Sequence, residues 1–212
     1  QRQMCIRDSD NRYRIERIIG MGGMAEVYKA TDSTLGRTVA VKVMLPQYAS
    51  DPNFAARFRQ EAQAAANLSS PYIVNIYDWG RDGDSYYIVM EYVRGTDLKT
   101  AIQQRGSIHP RKVAEIGSQV CSALSVAHGY DIIHRDIKSA NIMVQGDGNV
   151  KVMDFGIAKL PNAETVTVKD SAIGTVYYIS PEQASGKPID ARSDIYSLGV
   201  MMYEMATGKL PF

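Results

Sequence analysis

Two short strings constrain this chain more than any average over it. His134-Arg135-Asp136-Ile137-Lys138-Ser139-Ala140-Asn141 follows the apolar pair Ile132-Ile133 and leads into Ile142-Met143-Val144. Asp154-Phe155-Gly156 closes the apolar run 150–153. Polar strings bounded by short β-branched runs are strand connections. They set a carboxylate, an ammonium, a carboxamide and a second carboxylate on a β framework. Asp136 suits acceptance of a proton from an attacking hydroxyl. Lys138 suits neutralisation of charge on a transferring group. Asn141 and Asp154 each offer a hard oxygen, and magnesium favours few carboxylates supplemented by phosphate oxygens. A lone aspartate in a loop is more simply a cap or turn residue; the complete string in this order is not.

The rest of the pattern is that of an α+β protein. Residues 13–19, 26–31 and 38–44 carry the β-branched, alternating residues of strands, and Gly20-Met21-Gly22-Gly23 bends the chain between the first two. Residues 73–79 and 86–92 form a second hairpin around Asp82-Gly83. One helix interrupts these strands, capped by Asp51 and opened by Pro52. Phe54, Phe58, Glu61, Ala65 and Leu68 fall on one face of it. A carboxylate on an apolar stripe requires a cation, and Lys42, closing Val39-Ala40-Val41, is the partner that explains both residues. Beyond Tyr92, Val113, Ile116, Val120, Leu124 and Ala127 define a helix opening near Pro110, and 193–206 define another. The reading is a β-rich lobe over 12–92 and a larger helical lobe over 93–212, after a polar tail, 1–11, taken as flexible or artefactual.

Composition excludes several alternatives. The 212 residues are 45% hydrophobic and carry a net charge of +1, so no field draws the chain to nucleic acid. Two cysteines, Cys5 and Cys121, make neither a disulfide framework nor a zinc site, which fits a reducing, cytoplasmic setting. No apolar run reaches the roughly 20 residues of a membrane span. The glycine bend lies between two strands, whereas a dinucleotide-binding glycine loop leads from a strand into a helix.

On these residues the chain, from Tyr13 to Phe212, resembles the eukaryotic-like protein kinases. The resemblance implies a bilobal kinase fold and an ATP- and Mg2+-dependent (or Mn2+-dependent) transferase of the protein serine/threonine kinase class. Its roles are those of the general phosphoryl-transfer template rather than derivations from this sequence. By that resemblance Asp136 is the catalytic base, and Lys138, Lys42 and Glu61 complete the catalytic set. Asn141 and Asp154 hold the metal. Ile19, Gly20, Met21, Gly22, Gly23 and Val27 belong to the nucleotide-covering loop, whose third glycine is Ala25 here. Ala40, Met90, Glu91, Val93 and Met143 surround the adenine, and Asp97 stands where the ribose binds. Asp194 holds the backbone of His134-Arg135. His128 and His109 have no such context and read as structural or exposed.

Lys138 and Gly174-Thr175 resemble serine/threonine rather than tyrosine kinases. Gly22-Gly23-Met24-Ala25-Glu26-Val27-Tyr28, Ser180-Pro181-Glu182-Gln183 and Asp190-Ala191-Arg192-Ser193-Asp194 are similar to the bacterial Hanks-type branch, nearest the receptor kinases with PASTA repeats. Arg135 before the base implies an activation loop ordered by phosphate, with Thr165, Thr167 and Ser171 as acceptors. The implied partners are protein substrates with serine or threonine acceptors and a second copy for phosphorylation in trans. A membrane anchor would belong to the parent protein. Kinase domains of this family continue past the equivalent of Leu210-Pro211-Phe212, and an arginine partner of Glu182 lies in that part, so an apolar face of the last helix is expected to be exposed. The alternative to an active enzyme is a catalytically silent binding module, against which Lys42, Asp136 and Asp154 all stand.

Overall fold

The computed structural model describes residues 12–49, 51–155 and 176–212, and at 54, 57, 61 and 64 the backbone only. The chain divides into two compact units, one comprising the N-terminal stretch to Asn67 with Asn75–Tyr92, the other Leu68–Val74 with Val93–Phe212.

The first unit is an antiparallel five-stranded sheet, β1 (Tyr13–Met21), β2 (Ala25–Asp32), β3 (Arg37–Met44), β4 (Ile76–Asp82) and β5 (Ser85–Glu91), in the order β1-β2-β3-β5-β4. A short helix, α1 (Pro46–Ala49), precedes α2 (Pro52–Ala66). Alternation along β3 sorts its residues: Val39 and Val41 join Tyr13, Ala30, Tyr87 and Val89 on one face. Met44 packs on the other with Ala25, Ile88, and Phe58 and Ala62 of α2. The expected cap holds, since Asp51 accepts from the Asn53 amide at 2.8 Å and Pro52 opens the helix. Leu68 is not part of the helical stripe. The helix stops at Asn67, and Leu68 packs in the core of the second unit.

A buried charge fastens the start of β1. Asp32, with no exposed surface, accepts from Arg12 Nε at 3.0 Å and Nη2 at 2.9 Å and from the amides of Thr34 and Leu35. The Arg12 hydrogen bonds hold its carboxyl below the usual carboxylate range, against the opposing effect of burial. Such a group stabilises the fold above its unfolded pKa and loses that contribution as pH falls through its folded value. Asp32→Asn is therefore expected to cost about 2–3 kcal/mol near neutrality, less than a fully buried pair because Arg12 is a third exposed. The variant's stability should also fall less than the parent's on acidification, as urea denaturation at neutral and acid pH would show.

The second unit holds β6 (Gly95–Asp97), α3 (Leu98–Arg105), α4 (Pro110–Gly129), β7 (Ile142–Gln145), β8 (Val150–Val152), α5 (Pro181–Ala184) and α6 (Ala191–Thr207). Strands β6-β7-β8 form an antiparallel sheet. The apolar stripe Val113, Ile116, Val120, Leu124 and Ala127 of α4 packs with Leu198, Met201 and Met205 of α6 and with Ile142, Val150 and Val152. Ile195, Tyr196 and Tyr203 of α6 remain exposed. Ile73, expected to begin β4, instead makes a parallel bridge to Val152. No helix among the described residues is long and apolar enough to cross a membrane.

Candidate active site

The loop 132–141 has no regular structure until the single turn Ser139–Asn141, so its shape must come from elsewhere. Asp194 supplies it. This carboxylate is 1% exposed in the first turn of α6. It accepts the His134 amide on Oδ2 and the Arg135 amide on Oδ1, both at 2.8 Å. The second of these amides belongs to Arg135, which adopts the left-handed φ of +66°. Left-handed conformations at non-glycine residues persist where the surroundings over-determine them. His128 Nε2 makes a third contact to Asp194 at 2.8 Å, so the reading of His128 as lacking context is corrected. His109 caps α4, accepting from the Arg111 amide.

His134 is wholly buried and packs against Phe155, the ring centroids 4.6 Å apart and the planes tilted by 47°. Its Nδ1 accepts from the Asp136 amide at 3.2 Å, so the proton sits on Nε2, which donates to the Met153 carbonyl at 2.9 Å. Burial holds this imidazole below its ordinary pKa and keeps it neutral, outweighing the pull of Asp194. One ring thus links Met153, the residue before Asp154, to the backbone of Asp136 itself.

Asp136 Oδ2 lies 2.9 Å from Lys138 Nζ and accepts from Asn141 Nδ2 at 3.1 Å. The same Asn141 nitrogen donates to the Asp136 carbonyl at 2.8 Å. Both partners are acceptors, which settles the amide's orientation and leaves Asn141 Oδ1 as the atom to meet a cation. The Met153 amide donates to the Asn141 carbonyl at 2.9 Å, so Asp154, at φ +51°, follows on backbone tied to Asn141. A carboxamide oxygen and one carboxylate on adjoining backbone fit the donor set that magnesium takes when phosphate and water complete it. Gln183 Nε2 donates to the Arg135 carbonyl at 3.2 Å and, with Ser180, forms a capping box on α5. The sequence string around Gln183 suggested a family and not this contact. Glu182 accepts from Ser193 Oγ at 2.5 Å.

Other expected site residues take these places. In the first unit, Gly22 closes the β1–β2 bend through its amide to the Ala25 carbonyl. Ile19 and Met21 are exposed near that bend. Lys42 pairs in register with Val27 of β2 and Ile88 of β5, and Ala40 with Met90. Lys42 shares its sheet face with Met44, the face that packs on Phe58 and Ala62 of α2. Glu91 Oε2 accepts from Asn75 Nδ2 at 3.0 Å, and the two backbones are bonded. In the second unit, Met143 lies on β7 opposite Asp97 and Lys151. Asp97 caps α3, taking the Thr100 amide on Oδ1 at 2.8 Å and its hydroxyl on Oδ2 at 2.7 Å. Val93 begins the long C-terminal stretch of that unit. The tail 1–11, Gly156, Thr165, Thr167, Ser171, Gly174, Thr175 and the side chains of Phe54 and Glu61 lie outside the described residues.

A catalytic-loop carboxylate tied to a lysine and an asparagine, on a backbone moulded by a helix-borne aspartate, defines the protein kinase class. The family model for the protein kinase domain matches residues 13–212, and the chain belongs to that family. It is 50% identical over 201 residues to the serine/threonine-protein kinase PrkC of Bacillus subtilis, covering 95% of this chain and 31% of that protein. It is 52% identical over 202 residues to a probable serine/threonine-protein kinase of Clostridium acetobutylicum, again covering 31% of the relative. It is 50% identical over 208 residues to PknB of Mycolicibacterium smegmatis, covering 33% of it. The chain thus spans about a third of the length of these curated relatives. Among solved structures, the PknI kinase domain of Mycobacterium tuberculosis matches with a TM-score of 0.77 and 30% identity over 95% of this chain and 76% of that one. The expected α+β kinase fold and the resemblance to bacterial serine/threonine kinases are both borne out.

Proposed function

We propose that this chain is the catalytic portion of a protein serine/threonine kinase that moves the γ-phosphoryl group of ATP to serine or threonine hydroxyls of protein substrates. The observation that carries this is the Asp136–Lys138–Asn141 cluster, held through two consecutive amides by Asp194. In this reading Asp136 takes the acceptor hydroxyl's proton as that oxygen bonds to phosphorus and the bond to the departing ADP oxygen breaks. Lys138, beside the same carboxylate, offsets charge on the phosphoryl group. Asn141 Oδ1 and Asp154 would hold Mg2+, which when bound neutralises charge on the phosphate oxygens. Lys42, partnered by Glu61, would orient the phosphates, with 12–92 as the smaller lobe and 93–212 as the larger. Asp97 serves the ribose only if a hydroxyl shares or displaces its bonds to Thr100.

Thr165, Thr167 and Ser171 are the proposed phosphate acceptors in a loop ordered through Arg135, modified in trans by a second copy. The chain's working place would be the cytoplasm, where ATP is available, whether or not the parent protein is anchored in a membrane. The deciding experiment is transfer of γ-labelled phosphate from ATP to a generic protein substrate. Label is expected with magnesium present, and is expected to vanish with EDTA and in Asp154→Ala. Transfer that persisted in both would remove the metal reading. Peptide mapping of the labelled chain should find Thr165 or Thr167 modified, and label confined elsewhere would remove that assignment.

A further inference from the structure

Glu204, in the last turns of α6, is 8% exposed, and among the described residues no cation lies within ion-pairing distance. A buried carboxylate without a counter-charge is costly unless strong hydrogen bonds compensate. Its compensation is one phenol: Tyr178 OH donates to Glu204 Oε2 at 2.5 Å, the length of a charge-assisted bond. The Tyr178 oxygen in turn lies 3.1 Å from Ser139 Oγ, and Ser139 has no exposed surface. A phenol carries one proton. Since that proton goes to the carboxylate, the Ser139 hydroxyl must donate to Tyr178. Burial, with the bond to Glu204, pushes the Tyr178 phenol well above its ordinary pKa, so the phenol keeps its proton. The Tyr178 carbonyl is fixed as well, accepting from Ser197 Oγ at 2.7 Å.

The residue at the far end of this relay follows Lys138 directly. Ser139 opens the turn whose last residue is Asn141, closed by the Asn141 amide on the Lys138 carbonyl at 2.9 Å. We propose that Ser139 is a positioning residue for catalysis: the relay Ser139→Tyr178→Glu204 anchors the peptide between Lys138 and Asn141 to α6 and thereby sets both side chains against Asp136. Asp194 moulds the loop from the front of the same helix. Glu204 holds it from ten residues further along. This inference rests on the kinase reading of Asp136, Lys138 and Asn141.

The test combines steady-state phosphate transfer with amide hydrogen exchange on Ser139→Ala, Tyr178→Phe and the double variant, each an isosteric deletion of one or two hydroxyls. Each single variant is expected to lower kcat about five- to tenfold, the size of one or two neutral hydrogen bonds, with KM for ATP changed less than about twofold. Because the hydroxyls act through each other, the double variant should fall no further than the weaker single one. Exchange at amides 139–141 should quicken in all three while α4 stays protected. Single effects that multiply, a kcat within about twofold of the parent, or unchanged exchange at 139–141 would each overturn the relay. If the parent transfers no phosphate, the kinase reading fails and the exchange pattern alone judges the anchor.

Discussion

Asp136→Asn is expected to lower kcat by about 10²- to 10⁴-fold, the range that a positioned general base contributes, with little change in melting temperature. The two outcomes separate because of how the carboxylate is held. Asp136 Oδ2 accepts from Asn141 Nδ2 and lies beside Lys138 Nζ. An asparagine there keeps an oxygen able to accept from both, so the loop retains its shape. It loses the affinity for a proton that the substrate hydroxyl must surrender. Side-by-side kinetics and thermal denaturation decide. A large fall in melting temperature would make Asp136 a structural residue first, and an unchanged kcat would remove it as base.

Asp194→Ala should act in the opposite order, on stability first. It strips the acceptor from the His134 and Arg135 amides and from His128 Nε2, all around a carboxylate that is 1% exposed. Each stranded buried donor carries a desolvation cost of about 1–3 kcal/mol, and relaxation recovers part of it, so a total of about 3–5 kcal/mol is expected. The left-handed Arg135 would lose the acceptor of its amide, and phosphate transfer should fall with it. His128→Ala removes one contact of the three and should cost about 1 kcal/mol. Chemical denaturation of the two variants provides the comparison. Equal losses would mean that the amide pair, rather than the full triad, contributes little.

The legible parts of this chain are those whose signals are local. Asp51-Pro52 marks the start of α2, Pro110 that of α4, and alternation marks β3 because Val39 and Val41 both pack on one face. The polar loop residues were legible because Asp136, Lys138 and Asn141 meet within six residues. What escaped is settled at a distance. Helix α3 buries only Leu98 and Ile102, too few to show a period, and its cap Asp97 stood out for another reason. Strand β6 is three residues long and owes its form to pairing with β7. Leu68 and Ile73 continue apolar patterns in sequence, yet they pack in the second unit, where Ile73 meets Val152. His128 gave no signal because Asp194, its partner, lies 66 residues on.

That separation has a consequence during synthesis. The amides of His134 and Arg135 are shaped by a carboxylate 60 and 59 residues further along the chain. At about 5–20 residues per second, a ribosome needs roughly 3–12 seconds to pass from one to the other. Until α6 has emerged and docked, the His134 and Arg135 amides lack the carboxylate that accepts them in the folded chain. A nascent chain therefore carries every residue of its catalytic loop before it carries the carboxylate that shapes that loop.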